Sequence, residues 1–486
     1  MTPFTHKYGY DKNGNVTSTK YPSGRLITYN YANDKVTGIL NNGASIASNI
    51  GYKAFGRFNA LTFGNAIKQT TRYDQQYRIR GITATGAQNL IYTYDTNDNI
   101  TGITDSLDNA KNKSYGYDSL DRLTLAIGPW GSVAYTYDGV GNRKTENTQT
   151  GNTSYTYTQN KLMTATGEKY YSFGYDQNGN TNQENSRTYI YNQNQRLIKI
   201  TEQTTVKDEQ GQDIQVTVTK GEYVYNGNGQ RVRNSGNGQT TYFVYDQQGK
   251  LIAESGDTNV DYVLLNGNPL AILKGQTTYY IHTDHQSTPQ KMTDSQQQIA
   301  WEISDMPFGE TINIYGSVTN NIRFPGQYKN DETGLYYNYY RDYKSETGRY
   351  IQSDPIGIQK GSNHLFVYAF NKPSKYIDPT GLLSGNVLLL KPELQDGECS
   401  LEKFGAPINS AANNNSCIKD CCKKHDDCYA TYGCNQTSWL GPLISPLILG
   451  PCTVCNAKVA ACITPFFVKD CKKPRCPAPD SHFGNA

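Results

Sequence analysis

Apolar and polar residues alternate with a period of two through most of the first 255 residues, in short runs such as "SVAYTYD" (132–138) and "TTYFVYD" (240–246). That period is the mark of half-buried strands, with one side chain in two facing a core. A cluster of Asn, Asp and Gly follows each run and supplies backbone positions with positive φ, so each unit predicts a β-hairpin. The unit recurs as "YDKNGN" at Tyr10, "YDQQYR" at Tyr73, "YDTNDN" at Tyr94, "YDSLDRL" at Tyr117, "YDGVGNR" at Tyr137, "YDQNGN" at Tyr175, "YNQNQRL" at Tyr191, "YNGNGQR" at Tyr225 and "YDQQGKL" at Tyr245. A single hairpin cannot bury its own face, so a repeat of this kind predicts neighbours stacking into one long, twisting sheet. The tyrosines then read as structural ladder residues rather than binding residues.

Composition sharpens the picture in two places. The chain of 486 residues has 36% hydrophobic residues but 40 tyrosines, whose rings pack on one side and hydrogen-bond on the other. A formal net charge of +3 provides no basic stripe, and no nucleic-acid partner is expected. All 11 cysteines fall between Cys399 and Cys476. A domain boundary therefore precedes Cys399, and the dense cysteine block predicts a disulfide frame made for an oxidising compartment. The N-terminal "MTPFTHKYGYDKNG" carries no recognisable signal peptide, which points to export by a specialised route.

The repeats resemble the tyrosine–aspartate repeats of Rhs and teneurin-like proteins, whose sheets spiral into a hollow shell. Three further segments, "YYIHTDHQSTPQKMTD" (279–294), "FPGQYKNDETGLYYNYYRDYKSETGRYIQSDPIG" (324–357) and "NKPSKYIDPTGL" (371–382), resemble the Rhs-associated core that closes such shells. His282 and His285 within it are expected to pack and hydrogen-bond rather than bind metal. Asp354 and Asp378 each precede a proline. By spacing alone they simply start turns; by the resemblance they cleave the chain after Leu382. Two carboxylates held close suit such chemistry, because one stays protonated while the other activates water.

The stretch "CCKKHDDCY" (421–429) predicts a helix with Cys421 and Cys428 two turns apart on one face. "CTVCNAKVAAC" (452–462) repeats that spacing with Cys455 and Cys462, so two antiparallel helices could be joined as Cys421–Cys462 and Cys428–Cys455. A zinc set of His425, Cys428, Cys452 and Cys455 is the rival reading, but it leaves most cysteines unused. The frame resembles secreted phospholipase A2. That resemblance implies a base at His425, calcium on Asp426 and on carbonyls near Phe404, Gly405 and Ala406, and a histidine-orienting residue at Asn456, where the family has aspartate. The apolar "SWLGPLISPLILG" (438–450) suits a membrane phospholipid substrate.

The expectations are therefore a mainly β spiral sheet followed by a small disulfide-rich α domain. The predicted divisions are a repeat shell over 1–265, a core over 266–382 and a cysteine-rich toxin domain over 383–486. The resemblances imply a secreted Rhs-type toxin that releases a calcium-dependent phospholipase A2 at the membrane of a rival cell, with an immunity protein and a secretion apparatus as partners. The alternative is a non-enzymatic surface protein with a cysteine-rich binding module.

Overall fold

The computed structural model describes residues 4–53, 58–257, 259–358 and 364–382. Among these residues 30 strands join one antiparallel sheet that ends at the strand Thr311–Gly316. Strands pair with their neighbours in sequence, as Gly131–Tyr137 does with Leu123–Gly128 on one side and Arg143–Asn147 on the other. The sheet runs on across residue 265, where Val260–Leu265 and Asn268–Lys274 form an ordinary hairpin.

The repeat motif is a turn built by its own side chains. The ladder shifts register between Thr136 and Tyr137, the backbone N–H of Asp138 then donates to the Asn142 carbonyl at 2.9 Å, and Gly141 takes φ of 96°. One carboxylate oxygen of Asp138 accepts from the N–H groups of Val140 and Asn142, at 3.0 and 2.8 Å, and Asn142 returns a side-chain bond to the other oxygen. Aspartate, or asparagine at 192 and 226, suits this position because its side-chain oxygen satisfies amides that the irregular ladder leaves unpaired.

The tyrosine before the aspartate closes the unit behind it. Tyr117 donates its hydroxyl to the Ile100 carbonyl, Tyr137 to Leu123, Tyr175 to Leu162 and Tyr245 to Arg231, at 2.6 to 2.8 Å, and Tyr157, which precedes Thr158, does the same to Arg143. The reading of these tyrosines as ladder residues is thus supported directly. Their rings pack on buried strand residues, as Tyr115, Tyr117 and Tyr137 do on Leu123, Ala126, Val133 and Tyr135.

Early and late parts of the sheet also meet. Tyr21 donates to the Tyr262 carbonyl at 2.8 Å, Asn65 to Thr293 at 3.1 Å and Gln88 to the Thr283 carbonyl at 2.9 Å. Residues following the sheet fold into a small four-stranded sheet, Tyr328–Lys329, Tyr336–Asn338, Arg341–Lys344 and Arg349–Tyr350, around Phe324, Tyr336, Tyr343, Tyr350 and Tyr368. Buried ion pairs tie it to the large sheet: Arg231 to Asp342 at 2.6 Å, and Lys344 to Glu184 at 3.0 Å. Arg231 lies between the rings of Tyr223 and Tyr337, at 4.0 and 4.1 Å. These contacts hold the second sheet in a fixed place, which is what positions the site.

The α domain expected over 383–486 lies outside the described residues. With it lie Cys421, Cys428, Cys455, Cys462, His425, Asp426, Asn456, Phe404, Gly405 and Ala406.

Candidate processing site

Asp354 and Asp378 come together on a single guanidinium. Arg341, 1% exposed, places its Nη2 3.0 Å from Asp354 Oδ2 and 3.4 Å from Asp378 Oδ2. It rises from the strand Arg341–Lys344, its guanidinium 3.8 Å from the centre of the Tyr350 ring. Its Nη1 donates to the Leu365 carbonyl at 2.9 Å, and its Nε donates to the carbonyl of Gly381. One buried cation thus binds both acids and the chain immediately before Leu382.

Asp378 reaches that chain directly. Its Oδ1 accepts the Leu382 amide hydrogen at 3.0 Å, and its Oδ2 accepts from the Tyr350 hydroxyl at 2.7 Å. Burial keeps the Tyr350 phenol protonated far above its ordinary range, so it remains a donor. The Asp378 carbonyl accepts from the Asn338 side chain at 2.8 Å. Asp354 is held by the Ile356 amide at 3.1 Å. Burial pushes the Asp354 carboxyl up, Arg341 opposes the rise, and Asp378 adds to it. Asp354 is therefore biased toward its neutral form.

Two glycines admit the loop 378–382. Gly381 has φ of 70°, and a Cβ there would lie 2.4 Å from the Asn338 carbonyl oxygen. At Gly326, φ is 88° and a Cβ would fall 1.9 Å from the Pro379 carbonyl oxygen. The backbone N–H of Tyr340 donates to the Thr380 carbonyl at 3.0 Å. Beside the loop lies a cavity of about 640 Å³ bordered by Arg196, Tyr340, Ser353, Pro355 and Leu382.

The structure therefore brings together Asp354, Asp378 and Leu382 from the sequence reading. Arg341, Tyr350 and Asn338 were not legible as partners, although an arginine in the tyrosine-rich "YYNYYRDY" was a signal that a buried cation needs a carboxylate. His282 is buried and bonds Thr293 at 2.9 Å, and His285 bonds the Ser374 carbonyl at 2.8 Å, as expected for packing residues.

Residues 278–315 match the model of the RHS protein family. The chain is 40% identical over 104 residues to Toxin protein Tse5 of Pseudomonas aeruginosa, covering 21% of this chain and 8% of that protein. It is 28% identical over 300 residues to Double-stranded DNA deaminase toxin A of Burkholderia cenocepacia, covering 58% and 19%. It is 27% identical over 283 residues to tRNA nuclease WapA of Bacillus subtilis, covering 54% and 12%. Among solved structures, the TcdB2–TccC3 crystal structure without the hypervariable C-terminal region superposes with a TM-score of 0.64 at 21% identity, over 78% of this chain and 21% of that one. That likeness shows the fold. The chain spans less than a fifth of the length of each of these three relatives.

These matches support an Rhs-type chain with relatives among secreted toxins, and they correct the enzyme class. The relatives are named as a DNA deaminase and a tRNA nuclease, so the phospholipase A2 drawn from residues 421–428 is withdrawn. The membrane phospholipid goes with it as substrate. The exclusion of nucleic acid from net charge is corrected too: relatives of this chain are named for acting on DNA and tRNA, and the average charge of a chain does not report on one short domain.

Proposed function

We propose that this chain is the carrier and processing part of a secreted Rhs-type toxin, and that Asp354 and Asp378 hydrolyse the peptide bond after Leu382 to free the cysteine-rich residues 383–486. The observation that carries this reading is that one Arg341 nitrogen contacts both carboxylates while Asp378 accepts the Leu382 amide. Asp378, as carboxylate, would take a proton from water; Asp354, biased to its neutral form, would give one to the departing amide nitrogen of residue 383. Water oxygen bonds to the Leu382 carbonyl carbon as the carbon–nitrogen bond breaks. Gly326, Gly381 and Asn338 would hold the loop 378–382 in place, which converts the step to a unimolecular one. Export by a specialised apparatus and an immunity protein in the producing cell complete the reading.

The test is the intact mass of the expressed chain. Wild type should give two species that divide after Leu382, whereas Asp354→Asn and Asp378→Asn should each give one. A single full-length mass for wild type would overturn the proposal.

A further inference from the structure

We infer that the cavity beside Leu382 is a receiving site for the α-carboxylate that self-cleavage creates there, with Arg196 as its cation. The inference rests on the cleavage reading above. Arg196 and Leu382 border the same cavity of about 640 Å³. Arg196 is 7% exposed, its guanidinium carbon 4.7 Å from the centre of the Tyr225 ring and 5.2 Å from that of Tyr340. Its Nη2 donates to the main-chain carbonyls of Gly229 and Tyr339.

Among the described residues no carboxylate pairs with it. Arg143 is matched by Glu146 at 2.8 Å, Arg231 by Asp342 at 2.6 Å and Arg341 by Asp354 at 3.0 Å, whereas Arg323 and Arg349, also buried, are held by carbonyl and amide oxygens; of the three without a carboxylate, Arg196 is the one that borders the Leu382 cavity. A buried cation without a counter-ion is costly, and aromatic rings and carbonyl dipoles offset only part of that cost. Arg196 therefore lacks a carboxylate and borders a space large enough to hold one.

Cleavage supplies that partner. Before hydrolysis Leu382 ends in a neutral amide. Afterwards the water oxygen stays on its carbonyl carbon and the nitrogen leaves on residue 383, giving at neutral pH a carboxylate on Leu382 and an ammonium on the released chain. The new terminus cannot drift far, because the loop behind it is held by Asp378, Tyr340 and Arg341. Near Asp354 and Asp378 a third negative charge would be repelled; the Arg196 side of the cavity is where it is stabilised. The ion pair would favour the cleaved state and oppose religation.

The experiment uses the full chain with Arg196→Met and Arg196→Lys, each in the cleaving chain and in the Asp354→Asn chain, with mass spectrometry to sort cleaved from intact. Thermal midpoints are then compared. Arg196→Met should lower the midpoint of the cleaved chain by about 2 °C more than that of the uncleaved one, and Arg196→Lys by less than Arg196→Met. Equal losses in both backgrounds would make Arg196 a purely structural residue and overturn the inference. Should Arg196→Met fail to fold, Arg196→Lys alone decides, an equal loss again overturning it. A wild-type chain that stays intact defeats the cleavage reading and this inference together, and the mass separates that failure from the other.

Discussion

Asp378 accepts the backbone amide hydrogen of Leu382 at 3.0 Å, so the side chain read as an acid is bonded to the residue it would cut behind. Its other oxygen is held by Tyr350. Tyr350→Phe should leave the fold in place and slow processing about tenfold, the worth of one hydrogen bond to a charged group. Asp378→Asn should slow it by at least about a hundredfold. Timed appearance of the two masses checks both.

Gly381→Ala tests the loop without touching either acid. Its Cβ would collide with the Asn338 carbonyl oxygen, and φ of 70° is strained for alanine. Processing should fall sharply, with a stability loss of about 1–3 kcal/mol by denaturant titration. Unchanged processing would show that the loop need not be held where it stands.

The Arg231–Asp342 pair, with side chains 1% and 2% exposed, is predicted to anchor the small sheet. Removing one partner strands a buried charge, so Asp342→Leu should cost about 3–5 kcal/mol. Arg231→Met with Asp342→Leu should recover most of that loss, as urea unfolding of the double variant would show.

The tyrosine ladder predicts small, additive losses. Tyr137→Phe and Tyr175→Phe each remove one hydroxyl bond to a carbonyl, at 2.7 and 2.8 Å, and leave the ring packing intact. Each should cost about 1 kcal/mol, and the double variant should show the sum of the two single losses.

Asp305 gives a pH dependence. Burial pushes its carboxyl up to about 6, with Arg323, the Thr311 hydroxyl and Lys113 opposing the rise. The folded chain thus holds a proton that the unfolded chain releases near pH 4, so this stabilising contribution is complete below about pH 4 and is lost as pH rises through about 6. Asp305→Asn should match wild type at pH 4 and exceed it by about 3 kcal/mol at pH 8. Unfolding curves at the two pH values check the sign.

The period-two alternation and the recurring Tyr-Asp unit determined the long antiparallel sheet, because strand formation and the Asp-capped turn depend on residues within a few positions of one another. Asp354, Asp378 and Leu382 could be singled out by motif for the same reason. Only the tertiary structure decided what surrounds them. Arg341, Tyr350, Asn338 and Arg196 reach the site through cross-strand pairing and through the fixed placement of the small sheet by Arg231–Asp342 and Lys344–Glu184. The charge state of a carboxyl depends on such burial and on such distant partners, which no local pattern encodes. The phospholipase reading rested on residue types and cysteine spacing in 421–429 and 452–462, and the named activities of the relatives overturn it.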